Sequence, residues 1–202
     1  KRYAQELGVP LQIMNITSTL RKMGVYRLLP IGLLPGKWLR ARLVKFGRKL
    51  VLNKGEDLLE TRLNNSGNKW VNRGNAYGMA KHRVRMITAY QYADANNLMV
   101  AGAANLTELL TGTFSKWGVD HCADVMPIMH LYRTQVEQLA EYMGVPEYIL
   151  RKPADPDLMP GIEDKGNLLG GFLETDLILH SLQSGVLPSE IKESHSPVLV
   201  DR

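Results

Sequence analysis

Residues 98–112, LMVAGAANLTELLTG, constrain the fold more than any other stretch of this chain. The apolar run 98–102 predicts a short buried strand, Gly102 and Ala103 mark the turn after it, and Asn105 opens a helix through about Thr111. A strand, a glycine turn and a helix in that order form the repeating unit of an α/β fold. They put Asn105 to Glu108 at the carboxyl edge of a sheet, where open α/β sheets bind their ligands. Glu108 offers a hard oxygen ligand for Mg²⁺ beside a triphosphate. Asn105-x-x-Glu108 is also close to a capping box, with Glu108 folding back onto the helix start, and spacing alone favours that role.

The rest of the pattern fits one domain. The 202 residues are 45% apolar and 22% charged, an ordinary globular balance with enough chain for a sizeable core. The opening KRYAQELGVP, without methionine, reads as a helix over 1–7 capped by Gly8, and 11–16 as the following strand. This is the tail of a β-α-β unit and the expectation is an N-terminally shortened chain. Residues 17–77 read as a basic insert with loops. Within it, KWLRARLVKFGRKLVL places Trp38, Leu39, Leu43, Phe46 and Leu50 among basic residues, predicting a basic amphipathic helix interrupted at Gly47. NNSGNKWVNRGNAYG, 64–78, has the density of Asn, Gly and Ser expected of an active-site loop or a linker. Helices are predicted over 79–95 and 131–143, the latter ended by Gly144, with Pro146 at the first position of a short helix. A loop spans 112–126, a Pro/Gly-rich loop covers 151–170, and a last helix runs over 171–183. The expected boundaries are one domain over 1–183 and a loosely held tail over 184–202.

Charge is uneven. Residues 7–55 hold ten Lys or Arg and no acid, and without them the chain would be acidic overall. A phosphate-bearing partner and a merely solvated basic surface both account for this. The single cysteine, Cys122, excludes an internal disulfide framework and fits a reducing cytosol. No Cys/His cluster has metal-ligand spacing, no signal-peptide pattern opens the chain, and no apolar run reaches the about 18 residues of a membrane span.

Three further groups carry chemistry. Arg83 lies four residues before Ile87 and seven before Tyr90, so it is expected on an apolar face. There a guanidinium requires either an anionic ligand or a structural acid, or else snorkels to solvent. The loop FSKWGVDHCADVMPI offers Lys116, Asp120, His121 and Asp124 to a polar nucleotide, although Lys–Asp pairs are common in loops. His121 and Cys122, being adjacent, are poorly placed to form a nucleophile pair. Arg133 lies near the start of its predicted helix, where the dipole disfavours a cation; a bound phosphate would hold it there, and surface placement is the plainer alternative.

The order of these groups narrows the field. KHRVRMITAY, then VAGAANLTELLTGTFSKWG, then ADVMPIMHLYRTQVEQLAEYMGVP, then RKPADPDLMPG closely resembles the ammonia-dependent NAD synthetases, N-type ATP pyrophosphatases, over about residues 78–179. The resemblance implies an α/β fold, a mostly parallel sheet flanked by helices of the adenine nucleotide alpha-hydrolase-like type, here missing its first strands. It implies a cytoplasmic ligase that adenylates deamido-NAD with ATP and Mg²⁺ and then amidates it with ammonia, in a homodimer. By position, Glu108 would ligate Mg²⁺; Arg83, Lys116 and Asp124 would hold deamido-NAD; and Ala103, Arg133 and Asp155 would stand on the ATP side.

Several positions depart from the family pattern. Ala103 replaces a threonine that touches ATP, Arg133 a lysine, Asp155 a Ser or Thr, and Met79 an asparagine. Asp164–Lys165 replaces an Asp-Glu pair, and the loop from Lys116 to Asp124 is one residue longer. The family's phosphate loop, Ser-Gly-Gly-x-Asp-Ser, does not occur in these 202 residues. The departures leave two alternatives: a sibling ATP pyrophosphatase with another substrate, or a non-catalytic remnant that binds nucleotides or, through Trp38 to Leu50, nucleic acid or an anionic membrane surface.

Overall fold

A computed structural model describes residues 1–29, 36–51, 68–118, 121–152, 171–195 and 200. The chain opens with α1 (Arg2–Glu6), closed at Gly8, whose left-handed φ of 65° suits a residue without Cβ. Two short helices, α2 (Thr17–Lys22) and α3 (Val25–Leu28), follow. Both lie against the long α5 (Lys69–Ala95), and α4 (Lys37–Val51) stands between them in sequence. Leu20, Val25 and Leu29 pack with Tyr77 and Val84 of α5, and the Tyr26 and Tyr77 rings meet edge to face at 6.2 Å. Burying each such aliphatic side chain stabilises the fold by about 1.5–3 kcal/mol.

Beyond α5 the chain turns back through 98–105 into α6 (Leu106–Leu110). A long loop then leads to α7 (Arg133–Tyr142) and α8 (Glu147–Leu150). Further on, α9 (Phe172–Gln183) packs against α6 and α7, and α10 (Pro188–Ser194) against α9. Gly144, at φ 71°, ends the turn after α7 as its position implies, and Pro146 takes the N-cap of α8 rather than its first position.

Four expectations change. Residues 69–78 are helix, not loop: Asn68 accepts from the N–H groups of Trp70 and Val71 at 2.9 and 3.2 Å, and the helix so started runs without a break into the segment read as 79–95. Gly74 and Gly78 are buried in it, so packing outweighs the low helix propensity that made the stretch look like a loop. Gly47 likewise does not interrupt α4, which displays Trp38 70% exposed on its surface. Residues 11–16 form no strand: Ile13 is 65% exposed, and an apolar alternation becomes a strand only beside another strand. The run 98–102 contributes a single parallel β-bridge, Ala101 to Val125, with Leu98 and Met99 exposed. Among the described residues there is no longer strand pairing, and no helix is long and apolar enough to cross a membrane.

Part of the segment expected to hang loosely is docked. Residues 188–194 are helical and Ile191 is 2% exposed. Truncating it, Ile191→Ala, is expected to cost about 2–4 kcal/mol. Urea unfolding checks this, because an undocked tail predicts no change in midpoint.

Candidate functional site

Two groups of the residues singled out from sequence are each drawn together. The first lies along one flank of α5. The Arg83 guanidinium donates through Nε and a terminal nitrogen to the backbone carbonyl of Lys116, both at 3.4 Å. Seven residues further along α5, the Tyr90 hydroxyl donates to Asp124 Oδ1 at 3.2 Å, while the Val100 N–H donates to Asp124 Oδ2 at 2.7 Å. Arg83, Lys116 and Asp124 are therefore held against the same helix. The flank faces outward: Arg83 is exposed and Ile87 is 58% exposed. The inward face expected for Arg83 is instead that of Tyr77 and Val84, because the apolar stripe toward α2 and α3 lies on the other side of the turn. Arg83 thus meets a neutral carbonyl at the surface, where an anionic ligand has access.

Close backbone approach fixes the loop that carries Lys116 and Asp124. The Asp124 N–H donates to the Val100 carbonyl at 2.9 Å, and the Gly102 N–H to the Val125 carbonyl at 2.9 Å. A Cβ on Gly102 would stand 2.8 Å from the Ala123 Cβ and 3.3 Å from Met126 Cγ, so only glycine fits this crossing. Trp117 has φ 59°, a left-handed conformation that costs a side-chain-bearing residue about 1–2 kcal/mol. The Lys116 ammonium lies 5.7 Å from the centre of its indole. His121 is stacked on Phe114 and edge-on to Trp117, and its buried Nδ1 has no hydrogen-bond partner among the described residues.

The second group surrounds the start of α6. Asn105 and Glu108 form the full capping box: the Glu108 N–H donates to Asn105 Oδ1 at 3.0 Å, and the Asn105 N–H and side-chain amide donate to Glu108 Oε2 at 3.3 and 3.1 Å. Capping, favoured by spacing alone, is what the geometry contains. Ala103, two residues before the cap, is exposed and brings no hydroxyl. Next to Glu108, the buried Thr107 Oγ1 accepts from the Arg133 N–H at 2.8 Å and donates to Asp176 Oδ1 at 2.5 Å. Asp176 Oδ2 accepts from both the N–H and the hydroxyl of Thr134, at 2.9 and 2.8 Å.

Arg133 does not depend on a phosphate to stay at its helix start. Its Nε pairs with Glu137 Oε1 at 2.8 Å, its guanidinium lies over the Phe172 ring, and the Asp176 carboxylate sits at the positive end of α7. Asp176 and Thr107 went unread in the sequence, although an acid directly before the apolar run Leu177–Leu179 of a predicted helix was the available signal. Asp120, Asp155, Asp164 and Lys165 lie outside the described residues. Among the described residues no cluster of three or more His, Cys, Asp or Glu is arranged to hold a metal ion. Glu108 would have to share one with ligand oxygens and water, as Mg²⁺ commonly allows.

The NAD synthase family profile matches residues 56–198. An NH3-dependent NAD+ synthetase of Thermotoga maritima is 43% identical over 90% of this chain and 63% of its own length. One from Coprothermobacter proteolyticus is 39% identical over 92% and 63%. The chain thus spans about 63% of the length of these relatives. The solved structure of the Campylobacter jejuni NH3-dependent NAD synthetase in complex with the nitrate ion aligns with 99% of this chain and 60% of its own, at 20% identity and a TM-score of 0.57, a likeness of fold.

Partial burial pushes the Tyr90 phenol above its ordinary value, and the hydrogen bond to Asp124 and its negative charge push the same way. The neutral phenol is the favoured form, so the stabilisation it brings is present below the unfolded value and is lost as pH rises through the folded one. Asp124→Asn removes the charge and is expected to lower the Tyr90 transition. Absorbance titration against a Tyr90→Phe reference reads it, and an unmoved transition would contradict the contact.

Proposed function

The chain belongs to the NAD synthase family, and we propose that it carries the deamido-NAD side and the metal-binding side of an ammonia-dependent NAD synthetase. In that reaction the nicotinate carboxylate of deamido-NAD attacks the α-phosphorus of ATP and pyrophosphate leaves. Ammonia then attacks the acyl adenylate, AMP leaves, and the amide of NAD remains. A carboxylate is a poor electrophile, and adenylation supplies the leaving group. The protein's part is to hold two nucleotides in register and to balance their charge.

The observation that carries the reading is the gathering of Arg83, Lys116 and Asp124 against one flank of α5. In this proposal Arg83 and Lys116 supply positive charge to deamido-NAD, and Asp124 supplies an acceptor to its polar groups. Arg133 stands toward the ATP phosphates in place of the family's lysine, offering a planar fork rather than a point charge. Ala103 offers only its backbone where a threonine is usual, and Asp155 an acid where a hydroxyl is usual. Glu108, already oriented by its cap, would hold Mg²⁺. When bound, that ion would neutralise phosphate charge as pyrophosphate departs.

The mostly parallel sheet, a single domain over 1–183 onto which α10 is also docked, the homodimer and a reducing, cytosolic setting belong to the same proposal. The parallel bridge from Ala101 to Val125 and the likeness of fold to the Campylobacter jejuni synthetase support the sheet.

Pyrophosphate release by the full gene product, measured with ATP, Mg²⁺ and ammonia, is expected to depend on deamido-NAD. Arg83→Ala should raise the KM for deamido-NAD by roughly tenfold or more, the scale of a lost charge-assisted hydrogen bond. Glu108→Gln should weaken the response to Mg²⁺ while leaving deamido-NAD binding in place. Release that is indifferent to deamido-NAD would sink the reading and favour another carboxylate substrate.

A further inference from the structure

We infer that Asp176 is a positioning residue for the ATP side of the site, acting through Thr107 and Thr134 on Glu108 and Arg133; the inference rests on the reading above. Asp176 is 4% exposed and Thr107 1% exposed, so the centre of the network is buried, while Arg133 and Thr134 are half-buried at its edge. One carboxylate collects three donors: the Thr107 hydroxyl at Oδ1, and the Thr134 N–H and hydroxyl at Oδ2. Thr107 relays the contact by accepting from the Arg133 N–H.

The consequences for geometry are specific. Thr107 and Glu108 are neighbours in the first turn of α6, and Arg133 and Thr134 are neighbours in the first turn of α7. Pinning Thr107 and Thr134 to one rigid carboxylate from α9 sets the two helix starts, and hence Glu108 and Arg133, relative to each other. A buried carboxylate with each oxygen engaged resists rearrangement, because moving either helix leaves a donor or an acceptor without its partner. The flank of Arg83, Lys116 and Asp124 is tied to α5 by other bonds and does not pass through this network.

Asp176→Asn keeps the size but puts an amide N–H₂ where an acceptor is needed. In the full gene product it is expected to raise the KM for MgATP about tenfold, the usual scale for losing an outer-shell support, with the KM for deamido-NAD unchanged. Thr107→Val should act in the same direction and Thr107→Ser should restore wild-type behaviour. Ile178→Ala, a buried residue on the same helix outside the network, serves as the control for simple destabilisation. It should lower the melting temperature without separating the two KM values.

Movement of both KM values together in Asp176→Asn, or a melting shift with neither altered, would overturn the inference. Hydrogen exchange at the Arg133 and Thr134 amides, with the Kd for MgATP, gives a readout free of turnover. If the wild type releases no pyrophosphate with deamido-NAD, the functional reading fails. The inference then stands if Asp176→Asn speeds those amides and weakens MgATP, and falls if the Kd is unmoved. A wild type that binds no MgATP overturns both.

Discussion

The crossing of residues 100–102 over 124–125 is the constraint on which the site depends. Three backbone hydrogen bonds, from Asp124 and Val125 to Val100 and from Gly102 to Val125, close a loop of more than twenty residues onto its own start. The Asp124 carboxylate reinforces it by accepting from the Val100 N–H and the Tyr90 hydroxyl. Because the crossing touches α5 through Tyr90 and leads directly into α6, it joins the two groups of candidate residues. It also explains why Gly102 has no substitute: the backbones approach closer than a Cβ permits. Asp124 consequently has a structural duty, and any contact it makes to a ligand is superimposed on that duty.

Electrostatics at the start of α7 follows a comparable economy. A helix that begins with arginine, with no acid in its first turn, lacks local compensation for its dipole. The compensation comes from elsewhere in the chain: Asp176 of α9 accepts from the helix-start N–H of Thr134, and Glu137 balances the Arg133 side chain one turn on. Long-range acids of this kind are invisible to any window of neighbouring residues. Asp176 is separated from Thr107 by 69 positions, and only the folded chain brings them together.

This separates what was legible in the sequence from what was not. Local rules succeeded where the forces are local: the cap at Asn105, the left-handed glycines at 8 and 144, and the helix over 172–183. They failed where tertiary packing decides. Residues 69–78 are rich in loop formers, yet burial of Gly74, Tyr77 and Gly78 makes them helix, and Ile191 turns part of an apparent tail into a docked helix. Strands failed for a different reason, because strand pairing is a property of two segments, and the alternation at 11–16 meets no partner among the described residues. At the site, motif order identified the family and brought Arg83, Lys116 and Asp124 into consideration. The outward orientation of Arg83 was not legible, since four-residue spacing to Ile87 says that the two share a face and not which face is buried.

Glu108 illustrates how two readings of one residue coexist. Spacing favoured a cap and the family resemblance favoured a metal ligand, and these had the form of alternatives. The capping bonds from Asn105 run to Oε2. A carboxylate has two oxygens and about four lone-pair directions, so a capping carboxylate can also meet a cation. A cap fixes the side-chain torsions before any ligand arrives, and a pre-oriented ligand loses less entropy when it engages a cation. Capping thus does not compete with the proposed role. It is the local interaction that would make a single carboxylate an adequate protein contribution to an ion otherwise held by phosphate and water.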